Sequence, residues 1–192
     1  MRHKSAVYAL LGQLSLFGFL LVCMLLKPHF LFESNEGGIS NYGLYAETVI
    51  PYTLAFGLGG LLTMRAALAL PEGTDHYKAL KIALGVLGLL LIVAMFSTYP
   101  YKLNTVFNDT HKYASVFLTF SEVTLGVWFA GFLARNIKSL MILSVELLGF
   151  LMGVLTYYGL IHILFIAEIV TGMAFGLLLV RTVAQLTDSL YS

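Results

Sequence analysis

Six stretches of this 192-residue chain are apolar for about 20 residues, the length at which an α-helix crosses the hydrocarbon core of a bilayer. They fall at about residues 5–26, 49–70, 79–97, 112–134, 139–156 and 160–181. A helix meets its own backbone hydrogen bonds, so runs of this length in hydrocarbon are read as helices. The expected class is therefore an all-α polytopic membrane bundle of six transmembrane helices, with residues 1–192 forming a single integral domain. Composition agrees: 59% of residues are hydrophobic and 11% charged, against roughly a quarter charged in a soluble domain.

The segments between the runs have turn chemistry. The first run follows the basic start Arg2-His3-Lys4. It is longer than a signal-peptide core and no small-x-small cleavage site follows, so it is read as a retained span. Pro28, Glu33, Glu36, Gly37-Gly38 and Asn41-Tyr42-Gly43 mark a long polar loop that continues to Glu47. Pro51 suits the first turn of the second helix. A short turn follows at residues 71–75, and residues 99–109 form a second sizeable loop. Residues 157–160 are left to turn the chain between the fifth and sixth runs, the alternative being one kinked helix across Tyr158-Gly159.

Basic residues set the expected orientation. With both termini cytoplasmic, the inner side collects eight: Arg2, Lys4, Arg65, Lys78, Lys81, Arg135, Lys138 and Arg181. The outer side keeps three, Lys27, Lys102 and Lys112. The outer loops then hold Glu33, Glu36, Glu47, Asp109, His29 and His111. Tyr42, Tyr45, Tyr52, Tyr99, Tyr101, Tyr113, Tyr157 and Tyr158 are expected as an aromatic belt at that boundary. A net charge of +1 offers no field for nucleic acid. The one cysteine, Cys23, excludes an intrachain disulfide and any Cys/His zinc spacing.

Three runs each carry one glutamate: Glu122, Glu146 and Glu168. An ionisable group in such a run is costly and is held by a partner or a function. The fourth and sixth runs share the pattern Glu-x3-Gly-x8-Arg, through Glu122, Gly126, Arg135 and Glu168, Gly172, Arg181. Thirteen helical residues put both carboxyls roughly 20 Å from their arginines. Glu146 rises only about 12 Å from Lys138, so it is expected nearer the cytoplasm. Gly126, Gly149 and Gly172 lie one turn from a glutamate, and Gly149-x3-Gly153 and Gly172-x3-Gly176 are close-packing patterns. The glutamates should therefore face neighbouring helices. They read as a ligand contact or a proton or cation relay, or else as structural glue bonded to Ser121, Thr124, Ser144 or Thr171.

Asn108-Asp109-Thr110-His111 is the most polar short cluster. Asp109 could orient His111 for acid–base chemistry, while Asp109 or Asn108 equally suits a helix cap. His162 is a third candidate, although six residues turn a helix through about 600°, off the face of Glu168. No two histidines sit at matching depth for a bis-histidine haem, so no cofactor and no metal site are expected. The loop 33–43, flanked by Phe30-Leu31-Phe32, reads as a lid folded down on the bundle.

Across Gly38-Ile39-Ser40-Asn41-Tyr42-Gly43 and Asp109-Thr110-His111, the chain resembles the multi-pass Frag1/DRAM/Sfk1 group and its prokaryotic six-helix relatives of unknown function. Asn41 stands where eukaryotic members usually have an aspartate. The resemblance implies a link to membrane lipids and supplies no catalytic mechanism. Three readings follow. The first is a non-catalytic protein binding a lipid or amphipathic ligand from its outer face through Glu122 and Glu168, alone or as a subunit of an envelope assembly. The second is a small proton- or cation-coupled carrier. The third is an intramembrane lipid hydrolase or transferase using His111, Asp109 and His162. Expected partners are membrane lipids, with a protein partner or a second copy on the glycine-rich faces. The simple basic N-terminus fits a prokaryotic inner membrane.

Overall fold

The computed structural model describes residues 4–28, 38–71, 75–98 and 106–189. Glu33 and Glu36, with the flank at Phe30–Phe32, lie outside them, as do Tyr99 and Tyr101. The described residues form an all-helical bundle with six helices long and apolar enough to cross a membrane. These are α1 (Lys4–Leu26), α2 (Val49–Ala69), α3 (Asp75–Thr98), α4 (Val106–Trp128), α5 (Ile137–Tyr157) and α6 (Leu164–Ser189). A 3₁₀ turn, Ile39–Leu44, precedes α2, and a π-helical turn, Phe129–Leu133, continues α4. The chain is an integral membrane protein. The surface agrees: Leu25, Leu61, Leu68, Ile82, Phe132 and Leu177 are all exposed along the helices, a distribution that water would penalise and lipid would not.

Three helices depart from their apolar runs, and each of them extends past its greasy stretch at one end through segments that include polar residues. The third begins at Asp75, four residues early, with Asp75 bonded to Lys78 in its first turn at 3.3 Å. The fourth begins at Val106, so Asp109 lies inside the first turn and not at the cap. The sixth starts late, at Leu164, and runs past Arg181 to Ser189. Between α5 and α6 the chain does turn. Gly159 has φ 70°, and the Leu160 amide reaches back to the Leu155 carbonyl at 3.0 Å. That six-to-one bond with a left-handed glycine ends a helix, which removes the kinked-helix alternative.

Successive helices run antiparallel and close on themselves, α1 packing on α2 and on α6. Hydrogen bonds between helices hold this order. At the end bearing Lys4 and Ser189, Ser5 Oγ donates to the Ala66 carbonyl at 2.7 Å and Tyr77 donates to the Leu186 carbonyl at 3.1 Å. Arg181 donates to Asn136 Oδ1 at 3.1 Å and to Ser139 Oγ at 3.2 Å. The same Asn136 oxygen caps α5 by accepting from the Ser139 amide. The tightest crossing is α2 on α3, where a Cβ on Gly60 or Gly88 would lie 2.6 Å from the other's carbonyl oxygen. Small residues permit this approach where lipid supplies no hydrophobic drive between helices.

The repeated Glu-x3-Gly-x8-Arg spacing does not give repeated geometry. After Gly126 the fourth helix widens into the π turn, with the Ala134 amide on the Phe129 carbonyl, and stops before the exposed Arg135. The sixth remains helical through Arg181. Equal sequence distances therefore span unequal paths.

Candidate functional site

The site is built where the 3₁₀ turn meets α6. Glu168 lies one turn into α6, and its Oε2 accepts the Ile39 amide at 2.6 Å. Gly38 holds φ 65°, and a Cβ there would lie 2.6 Å from the same carboxylate oxygen. Only glycine gives this backbone both its sign of φ and its closeness to the acid. Ile39, Tyr42 and Gly43 are buried, so the segment is seated on the bundle. Three further contacts hold it. Thr48 Oγ1 donates to the Tyr42 carbonyl at 2.6 Å, the Cys23 thiol donates to the Thr48 carbonyl at 3.7 Å, and Tyr42 meets Phe165 edge-on at 5.8 Å. Lys27 Nζ sits 3.0 Å above the Tyr45 ring. Burial, with Cys23 beside it, pushes the Tyr42 phenol up to about 12, so it is neutral at ordinary pH.

Beneath this turn lies a cavity of about 380 Å³, walled by all six helices and by Ile39 and Ser40. Glu122 and Glu168 both line it. Leu16, Phe17, Leu20, Phe56, Leu91 and Phe150 supply apolar wall, and Ser115, Thr119 and Thr171 supply hydroxyls. His111 and Lys112 stand at the end carrying the 3₁₀ turn. His111 is buried, with Nδ1 3.1 Å from the Ala94 carbonyl. On one side the wall is made by Val116 and Phe120 of α4 and by Val154 and Tyr157 of α5. Val116, Phe120 and Tyr157 are also exposed on the bundle surface, so the cavity opens sideways between these helices. Phe120 and Phe150, ring centroids 5.7 Å apart, bridge the two helices there.

Glu146 is not on that wall. It is wholly buried, its carboxyl faces the Gly126 backbone of α4, and neither oxygen has a hydrogen-bond partner among the described residues. Gly126 is one turn beyond Glu122, so Glu146 lies nearer the end that carries the chain termini. Glu122 and Glu168 share the cavity wall, and Glu146 lies against the next turn of the helix that carries Glu122. Two of the four hydroxyls expected as glue are otherwise engaged: Thr171 donates to the Ala167 carbonyl at 2.8 Å and Ser144 to the Leu140 carbonyl at 3.0 Å.

Other candidates stay apart. Asp109 is exposed, and two residues along a helix put it on the face opposite His111. His162 is exposed and off the cavity wall. Among the described residues no group of three or more His, Cys, Asp or Glu side chains is placed to hold a metal. Glu47 is exposed and Asn41 half-buried, both off the cavity wall. Tyr42 and Tyr52 belong to the core, while Tyr113, Tyr157 and Tyr158 remain at the surface. The glycine faces expected to receive a second copy are filled within the chain. Gly149 and Gly153 oppose Thr171 and Ala167, and Gly172 and Gly176 oppose Phe17 and Gln13.

No family model, curated protein or solved structure matches this chain. Its chemistry is therefore read from the cavity itself. Ser115, Thr119 and the lateral opening are the parts the sequence did not single out. The four-residue spacing of Ser115 and Thr119 puts both hydroxyls on one helix face, and that is the signal the sequence offers.

Proposed function

We propose that this protein binds a lipid or other amphipathic molecule in the cavity beneath the 3₁₀ turn. The observation that carries the reading is one space that joins two carboxyls to an apolar wall and opens sideways between α4 and α5. Its volume lies at the lower end of small-molecule pockets, which run from about 300 to 1,000 Å³. It therefore suits a head group or one short chain, with the remaining hydrocarbon lying in the bilayer. The eight-to-three bias of basic residues supports an opening into the outer leaflet, with both termini cytoplasmic. The short basic start supports a prokaryotic inner membrane, and the resemblance to the Frag1/DRAM/Sfk1 group supports a lipid connection.

A non-catalytic role fits best, because Asp109 and His111 occupy opposite helix faces. The carrier reading keeps one specific support, the buried Glu146 carboxyl one turn beyond Glu122, without a hydrogen-bond partner among the described residues. Native mass spectrometry from lipid nanodiscs tests the leading proposal. Wild type is expected to retain lipid that survives activation, and Val116→Trp, filling the lateral opening from the surface, should reduce that population at least fivefold. Equal retention by both proteins would remove the cavity as the binding place.

A further inference from the structure

We infer that the head group held in this cavity bears a protonated amine. The inference rests on the lipid-binding reading and names the class of ligand. The threonines and carboxyls deep in the cavity offer acceptor oxygens. Thr119 and Thr171 have turned their hydroxyl hydrogens to the Ser115 and Ala167 carbonyls, at 3.0 and 2.8 Å, and present oxygen lone pairs to the space. Glu168 takes the Ile39 amide on Oε2 and keeps its other oxygen. Glu122 lines the same wall, and among the described residues no base pairs with it. Glu146, wholly buried and without a hydrogen-bond partner among the described residues, adds a third carboxyl one turn beyond.

The cationic side chain on the wall, Lys112, is exposed and ten residues from Glu122 along α4. That is about 15 Å, too far to neutralise Glu122. A phosphate or sulfate head would meet carboxyls with no nearby counter-charge. A polyol head would supply donors but leave the acidic set uncompensated. A primary ammonium supplies three donors and the opposite charge together, which is what a buried acidic site in a membrane requires. The chain of the ligand then leaves between Val116 and Phe120 on one side and Val154 and Tyr157 on the other.

Nanodiscs of equal parts dioleoyl phosphatidylethanolamine and dioleoyl phosphatidylglycerol make the test, because the two lipids share their chains and phosphodiester and differ in the terminal group, an ammonium in one and a neutral glycerol in the other. The wild-type protein should release the amine lipid enriched at least tenfold over its partner. Glu122→Gln and Glu168→Gln should still retain lipid, with enrichment falling below twofold. Glu168→Gln keeps an oxygen for the Ile39 amide. If a variant fails to fold, dodecylamine against dodecanol on the wild type replaces it, the amine alone being expected to raise the melting temperature. Retention of both lipids without preference, or of phosphatidylglycerol preferentially, overturns the amine and leaves the lipid cavity standing. Retention of neither lipid, or retention unchanged by Val116→Trp, overturns the cavity reading itself.

Discussion

Gly38 and Gly159 both sit in the left-handed region, at φ 65° and 70°, yet their surroundings differ. Around Gly159 an added Cβ would meet nothing within 4 Å, so alanine there costs only the backbone strain, about 1 kcal/mol. At Gly38 the same strain is joined by a collision with the Glu168 carboxyl and by displacement of the Ile39 amide from its acceptor. A buried donor left without a partner adds about 1–3 kcal/mol. Gly38→Ala should therefore lower stability in detergent clearly more than Gly159→Ala, by thermal unfolding of the two variants side by side. Matching melts would mean that the 3₁₀ turn is not anchored on Glu168. The sequence marks both glycines as turn residues, but it does not show which of them has an acid beneath it. That contact joins residues 129 positions apart.

The helix pairs show the same limit. A glycine one turn from each glutamate is reason to turn the acids towards neighbouring helices, and the structure turns them inward. The partner, however, is crossed: Gly126 makes room for Glu146 of α5 and not for the glutamate of its own helix. Small-x3-small spacing states that a backbone will approach closely without stating which one. This crossing gives a second prediction. Gly126→Ala should destabilise by about 1–3 kcal/mol through overpacking, and Glu146→Ala should open the space that the new methyl needs. The double variant should then be more stable than the sum of the single changes requires, with a coupling of about 0.5–3 kcal/mol. Additive losses in a double-mutant cycle would show that the two residues are not in contact. The first turns of α3 and α4 are not legible in the sequence for a simpler reason. They carry no apolar period, and helix continues there because nothing in Asp75–Lys78 or Val106–Thr110 breaks it.

At the scale of the molecule, the six helices could be read directly from their apolar runs, while the lateral opening could not. A face buried against a neighbour and a face bathed in lipid are both apolar, so hydropathy alone cannot show where two helices part. Which side of the membrane that opening serves is decided by orientation, and Cys23 makes orientation straightforward to measure. The one cysteine of the chain is wholly buried, its thiol donating to the Thr48 carbonyl, so the unaltered protein should be silent to maleimides. Asp109 and Lys78 are exposed at opposite ends of the bundle. Losing the exposed Asp75–Lys78 pair should change stability by less than about 1 kcal/mol. Asp109→Cys should react with a membrane-impermeant maleimide in intact cells, and Lys78→Cys only after permeabilisation. The reverse pattern would put the chain termini outside. The amphipathic ligand would then be drawn from the cytoplasmic leaflet, because the opening between α4 and α5 lies towards the Asp109 end whichever way the bundle sits.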